Sequence, residues 1–309
     1  MATKFRFGVQ TSRGRTREEW TEKARKIESL GYSTLFMPDH FEDQLAPMPA
    51  LMAAADATTT LRVGTLVLDN DYRHPLVLAK EAATLDLLSH GRLELGIGAG
   101  WMKTDYDASG IPFDQPAVRI RRFKEALRII KGLLGPDPVD FKGEFYRVTN
   151  HNGLPKPVQS PLPILVGGGG RWVLSIAARE AQIVGVNFSL EQGAVNQKTL
   201  QTGSGAATDE KIAWIKEAAG SRFDELELNV TVFVTAITDD RMKFAERMAP
   251  AYGMTPQEVL DSPHSLVGSV EQIVDTLQER RARFGFSYVV FSGDNYEQWA
   301  PIVSKLAGT

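Results

Sequence analysis

Four short stretches of this sequence hold side chains whose types and spacing suit chemistry. In the first, Asp39-His40 follows the apolar run Thr34-Leu-Phe-Met-Pro38. A carboxylate and an imidazole at the C-terminal end of a strand can orient a ligand and move a proton near neutral pH. Taken alone, the same pair also reads as a turn cap beside a half-exposed histidine. The second is Val63-Gly-Thr-Leu-Val-Leu-Asp-Asn-Asp71, which runs through Tyr72, Arg73 and His74 to Pro75. Gly64 inside a strand predicts a bulge or a close backbone approach. Asp69 and Asp71 have no third ligand nearby, so they read as caps for a helix at Pro75 and not as a metal site.

The third stretch, Leu95-Gly-Ile-Gly-Ala-Gly-Trp101, ends a strand in alternate glycines and an aromatic. With no Cβ at Gly98 or Gly100, a flat ring can lie against the backbone around Ala99, and Trp101 can wall the pocket. No later glycine completes a dinucleotide fingerprint. The fourth, Ile164-Leu-Val-Gly-Gly-Gly-Gly-Arg171, is the most specific. Gly167, Gly168, Gly169 and Gly170 join a buried strand to a helix and leave unpaired N–H groups at the positive end of a helix dipole, which suits a phosphate. Arg171 adds a full charge and a forked donor set. The Walker lysine is missing, so nucleotide hydrolysis is not implied.

Other charged positions read as structure. Arg119, Arg121, Arg122 and Lys124, like Arg280, Arg281 and Arg283, read as lying on helix faces opposite the apolar stripes and are expected to be solvated. His90, His151 and His264 lack metal-ligand spacing. The chain has 35 basic and 38 acidic residues and a formal net charge of -3, which leaves no electrostatic footprint for nucleic acid or an anionic membrane. Small molecules are the expected partners. It contains no cysteine, which excludes disulfides and thiolate chemistry. No apolar run is long enough to span a bilayer and the N-terminus has no signal-peptide core, so a cytoplasmic protein is expected.

These stretches must be held by something, and the pattern around them says what. Short β-branched runs alternate with helical-period segments along all 309 residues, 43% of which are hydrophobic. Strands are predicted at 5–10, 34–38, 62–68, 93–98, 164–167, 182–186, 226–233 and 288–291. Helices are predicted at 16–30, 50–59, 75–88, 117–134, 171–179, 209–219, 240–248, 269–285 and 296–306. Thr16 and Glu19 are spaced as a capping box, and Gly31 sits where a left-handed residue ends the first helix. Eight strand–helix units with no composition break predict an α/β fold, a single (β/α)8 TIM barrel over residues 1–309. Insertions follow strands 4, 6 and 7. Residues 135–163 carry a hairpin near 141–148, while 188–208 and 249–268 read as lid segments. Every stretch named above then falls at the carboxyl ends of strands.

Taken together, Leu30-Gly-Tyr-Ser-Thr-Leu-Phe-Met-Pro-Asp-His40, Gly64-Thr-Leu-Val-Leu68, the Leu95–Trp101 run and Gly167–Arg171 make the chain resemble the luciferase-like superfamily, and within it the oxidoreductases that use the deazaflavin coenzyme F420. The resemblance implies that Asp39 orients the cofactor and that His40 lies near the reacting carbon. It implies a non-proline cis peptide at Leu66-Val67 backing the ring, with Gly98, Ala99, Gly100 and Trp101 lining it. It also implies a phosphate held by Gly168 to Arg171, with Gly167, Gly185 and Val186 close by. Hydride transfer to or from a small organic substrate, and a homodimer, are the family expectations. Sugar-phosphate dehydrogenases of this family carry a glutamate where this chain has Trp101, which argues against glucose 6-phosphate. An FMN-dependent monooxygenase would use the same barrel and phosphate site, and a cofactor-free binding protein is the alternative of another class.

Overall fold

The computed structural model describes residues 3–190 and 193–309, and in it eight parallel strands close on themselves. They are β1 Arg6–Gln10, β2 Thr34–Met37, β3 Arg62–Thr65, β4 Leu93–Gly98, β5 Ile164–Gly168, β6 Ile183–Val186, β7 Glu227–Val232 and β8 Phe286–Ser292. Each pairs with its sequence neighbour, and β8 returns to β1 with Arg6 opposite Tyr288. A helix follows each strand: α1 Arg17–Ser29, α2 Pro47–Ala57, α3 Pro75–Leu88, α4 Pro116–Leu134, α5 Arg171–Glu180, α6 Gly205–Ala219, α7 Val270–Phe284 and α8 Ala300–Leu306. This is the expected (β/α)8 TIM barrel.

Parallel strands covered on both faces must be apolar throughout, and β2 and β6 are buried at every position. Outside the barrel, the inward stripes of the helices meet the sheet, as with Trp20, Ala24 and Ile27 of α1. Inside, Phe36, Leu165, Ile183, Tyr288 and Val290 fill the lumen. Gly64 makes room for Phe36: a Cβ there would stand 2.6 Å from Phe36 Cε1 and 2.8 Å from Glu94 O, so the close approach read from this glycine is real. At the amino ends of the strands, Arg6 donates from Nε to Glu227 at 2.6 Å and also pairs with Glu94, while Tyr288 Oη donates to Glu94 at 2.8 Å. Charged groups thus plug the end of the barrel away from the site.

The structure departs from expectation in three places. The third strand, read as 62–68, stops at Thr65; the Leu66–Val67 peptide is cis, as the resemblance implied, and pairing resumes at Leu68–Asp69 opposite Ile97 and Gly98. An unpredicted helix, Lys103–Ser109, follows β4. The 249–268 segment is not an irregular lid. It contains the end of helix Arg241–Tyr252, helix Pro256–Asp261 and strand Ser265–Gly268, which pairs in parallel with Val234–Ile237. Its organising signal is a capping box, Thr255 with Glu258, ahead of Pro256 at the first helical position. The predicted hairpin is present as Val139–Lys142 and Arg147–His151. In the 188–208 segment, whose residues 191 and 192 lie outside those described, Gln197–Gln201 forms a short helix capped by Asn196. Among the described residues, no helix is long and apolar enough to cross a membrane.

Candidate active site

Side chains at the carboxyl ends of the strands surround a cavity of about 780 Å³, a volume suited to a cofactor with a small substrate. The sequence candidates converge on it: Asp39 and His40 after β2, Leu66 and Val67 after β3, Gly98 to Trp101 after β4, Gly167 to Gly170 after β5, and Gly185 and Val186 of β6. Arg171 does not. Its guanidinium donates to Glu217 Oε2 at 2.8 Å on the outer surface, with more than half of the side chain exposed. As the first residue of α5 it projects over the helix layer, where α6 offers a carboxylate.

Among the described residues, His40 is the one histidine that borders the cavity. Its Nδ1 lies 2.7 Å from Asp105 Oδ2, and Trp101 meets its ring edge to face at 5.8 Å. An ionised carboxylate only accepts, so Nδ1 carries the hydrogen and Nε2 is left with a lone pair. Tyr72 Oη also donates to Asp105, at 3.3 Å, which helps to fix the carboxylate. Asp105 comes from the helix Lys103–Ser109, and no sequence motif pointed to it.

Asp39 is buried but not free. Arg73 grips it through Nη2 to Oδ1 at 2.9 Å and through Nη1 to Oδ2, and the Asp69 N–H donates to Oδ2 at 3.0 Å. Burial opposes the charge on Arg73, yet the hydrogen bond and charge of Asp39 outweigh it and raise its pKa. Asp69 stands beside this pair. Burial pushes its carboxyl up to about 7, and the charges of Asp71 and Asp39 add to the shift, against hydrogen bonds from Asp71 N and Tyr106 Oη. Asp69 and Asp71 do not cap α3: Asp69 caps the short turn Asn70–Tyr72, and His74 Nδ1 accepts from Leu76 N to cap α3. Asp71 is held by Arg122 at 2.7 Å. Among the described residues no group of three His, Asp or Glu could hold a metal ion.

The glycine runs have steric reasons. A Cβ at Gly98 would come within 2.9 Å of Val67 Cγ2, and one at Gly169 within 2.0 Å of the Phe188 carbonyl oxygen. Gly170 caps α5 without a side-chain acceptor, so first-turn N–H groups of this helix are left for a ligand, and Trp172 and Val173 of that turn border the cavity. A flat ring over Gly98 and an anion at α5 therefore suit the residues present. On the far side, Phe188 stacks near Phe233 with centroids 5.6 Å apart and adds an apolar wall.

The expectation that the arginine runs are solvated fails at three positions. Arg280 is buried, and its guanidinium donates to the carbonyls of Leu260, Ser262 and Ser265 at 2.7 to 2.9 Å. Arg122 is clamped between Asp71 and Asp114. Arg119 is buried at the cavity wall. The reason is phase: Arg119 precedes Phe123 by one turn, and Arg280 lies between Leu277 and Phe284, so both occupy inward stripes.

Among curated proteins, the chain is 32% identical over 166 residues to an F420-dependent glucose-6-phosphate dehydrogenase of Amycolatopsis mediterranei (strain U-32), covering 51% of this chain and 50% of the relative. It is 31% identical over 154 residues to an FMNH(2)-dependent dimethylsulfone monooxygenase of Pseudomonas putida, covering 50% of this chain and 41% of the relative. The chain spans about half the length of the curated relatives it matches. Two solved structures share the fold. A coenzyme F420-dependent tetrahydromethanopterin reductase from Methanopyrus kandleri aligns with TM-score 0.74 and 21% identity over 99% of both chains. An F420-dependent secondary alcohol dehydrogenase aligns with TM-score 0.77 and 16% identity over 98% of both. A family model described as luciferase-like monooxygenase matches residues 1–262, and the chain belongs to that family.

Proposed function

We propose that this chain is an oxidoreductase that uses the deazaflavin coenzyme F420 to move hydride to or from a small organic substrate. One observation carries the reading: His40, fixed by Asp105, opens onto the same cavity as the Leu66–Val67 segment, the Gly98 floor and the uncapped end of α5. Residues Gly98 to Trp101 would line the ring, Leu66 and Val67 would back it, and Gly167 to Gly170 with the α5 N–H groups would hold its phosphate, with Gly185 and Val186 alongside. When bound, the deazaflavin supplies a carbon that passes two electrons as hydride and reacts poorly with oxygen.

The protein's own part is proton handling, orientation and dryness. His40 Nε2 takes or returns the proton that accompanies reduction or oxidation of a substrate oxygen, and the Asp105 carboxylate stabilises the imidazolium during the exchange. Asp39, neutralised by Arg73, is a rigid acceptor beside the ring position. Phe188 and Phe233 exclude water above it. The glucose-6-phosphate chemistry of the actinomycete relative is not carried over, because Trp101 packs against His40 where a glutamate would be needed.

The monooxygenase relative, at similar identity over a similar span, favours reduced FMN as the second reading. Titration of the purified chain with F420 and with FMN, followed by fluorescence quenching, separates the two. Micromolar binding of F420 is expected, and binding of FMN alone overturns the deazaflavin reading. Assembly as a homodimer belongs to the same proposal, and a monomer in sedimentation equilibrium refutes it.

A further inference from the structure

Among the described residues, Arg119 is a buried cation without a counter-charge. Only 3% of it is exposed, it borders the cavity, and its Nε and Nη1 have no hydrogen-bond partner. One face of the guanidinium lies over the Phe113 ring, 4.1 Å from its centroid, which orients the plane without satisfying any N–H. Its neighbours on α4 are treated differently: Arg121 pairs with Glu144 at 3.0 Å, and Arg122 with Asp71 and Asp114 at 2.7 and 2.8 Å. Among the described residues, Arg119 is the only lysine or arginine bordering the cavity.

The backbone around it does not explain the arrangement. Pro116 has no N–H, and the N–H groups of Val118 and Arg119 both turn back to the Gln115 carbonyl, at 2.9 and 3.2 Å. The start of α4 thus offers a positive field with few donors, and the donors belong to the side chain. Burying a charge is unfavourable unless a partner of opposite sign meets it, and the guanidinium fork matches the two oxygens of a carboxylate or phosphate. Arg171 is occupied by Glu217, so among the described residues no other cation from the cavity wall would meet an anion at α5.

We propose that Arg119 is the cationic half of an oxyanion site in the cavity and selects occupants that carry a phosphate or carboxylate. This deepens the cofactor reading and rests on it only for whether that anion belongs to the cofactor or to the substrate.

The test compares the full-length chain with Arg119→Met and Arg119→Lys. Affinities are measured by fluorescence for two pairs: F420 against its ring-and-ribityl core, which lacks the phosphate and the carboxylate-bearing tail, and FMN against riboflavin, which lacks the phosphate alone. Melting temperatures are measured with and without inorganic phosphate and acetate. In the wild type the phosphorylated member of a pair binds more tightly, and Arg119→Met reduces that preference by about ten- to hundred-fold, the effect of losing charge-assisted hydrogen bonds. Arg119→Lys keeps the charge but not the fork and falls between. The apo melting temperature of Arg119→Met is unchanged or higher, because unsatisfied donors leave the interior; a clear fall would assign Arg119 a structural role and overturn the proposal. If the rings bind and the phosphate preference survives in Arg119→Met, the cofactor reading stands and the anion is not the cofactor's; phosphate and acetate then decide, and equal stabilisation of wild type and Arg119→Met refutes the site. If no ring binds, the cofactor reading fails, and phosphate or acetate decides: stabilisation of the wild type but not of Arg119→Met assigns the anion to the substrate, and its absence refutes the site.

Discussion

Replacing Asp69 with asparagine tests whether a neutral carboxyl stands in the wall of the site. Asp69 accepts from Asp71 N at 2.9 Å and from Tyr106 Oη at 3.1 Å, both through Oδ1, and an asparagine oxygen can keep both bonds. The substitution therefore removes a titration and leaves the geometry. Burial raises the folded carboxyl from 3.8 to about 7. Between those values the folded protein keeps a proton that the unfolded chain has released. Stability is fully present below the unfolded value, declines as pH rises through the window, and has lost the whole contribution above the folded value. One pKa unit is worth roughly 1.4 kcal/mol, so the variant should gain on the wild type by about 2 to 3 kcal/mol between about pH 5 and about pH 7. Urea unfolding of both proteins across about pH 5 to 8 measures the gap. A gap that stays constant across the series would mean that Asp69 is already ionised in the folded state at about pH 5, and the reasoning about its burial would be wrong.

Three further substitutions probe the rest of the site. Asp105→Asn lets an amide N–H face His40 Nδ1 and favours the opposite tautomer, so kcat should fall by about 10- to 100-fold with KM little changed; steady-state kinetics that move KM alone would remove Asp105 from proton handling. Gly169→Ala drives a methyl to within 2.0 Å of the Phe188 carbonyl oxygen. It should destabilise by about 1 to 3 kcal/mol and weaken cofactor binding, and an unchanged melting temperature contradicts the close approach. Arg280→Met strands the carbonyls of Leu260, Ser262 and Ser265, and the expected loss in chemical denaturation is about 3 kcal/mol or more. A loss below about 1 kcal/mol would show that water reaches those carbonyls.

The barrel could be read from the chain because each unit carries its own local marks. Thr16 accepts from Glu19 N at 3.1 Å at the start of α1, and Gly31 takes a φ of +83° beyond its end. Pro75 opens α3 as its type suggests. The glycine runs were legible for a related reason: at a strand end, glycine signals that something must come close to backbone. Side-chain direction is what position alone could not supply. Arg171 and Gly170 are adjacent, yet one faces α6 and the other the cavity, a choice set by where Glu217 lies 46 residues later. Asp105 was hidden for another reason. It sits on a seven-residue helix with no side-chain cap, and its meaning exists only across a 2.7 Å gap to His40.

The buried arginines separate what helical phase can tell from what only the fold adds. The sequence reading set Arg119 and Arg280 on faces opposite the apolar stripes; the structure turns both inward, because the apolar neighbours one turn away, Phe123 for one and Leu277 and Phe284 for the other, share their face. Burial alone does not then distinguish their roles. Around Arg280 the end of the 249–268 segment turns three carbonyls inward, so its charge is spent on holding that segment against α7 and its pKa falls to about 10 mainly through burial. Around Arg119 the fold provides an aromatic face and no acceptor for Nε or Nη1. A buried guanidinium whose two terminal nitrogens are answered by backbone carbonyls is part of the scaffold. One at a cavity wall whose Nε and Nη1 find no acceptor makes the folded state bear a cost that an incoming anion relieves, and that cost is what the site has available for selectivity.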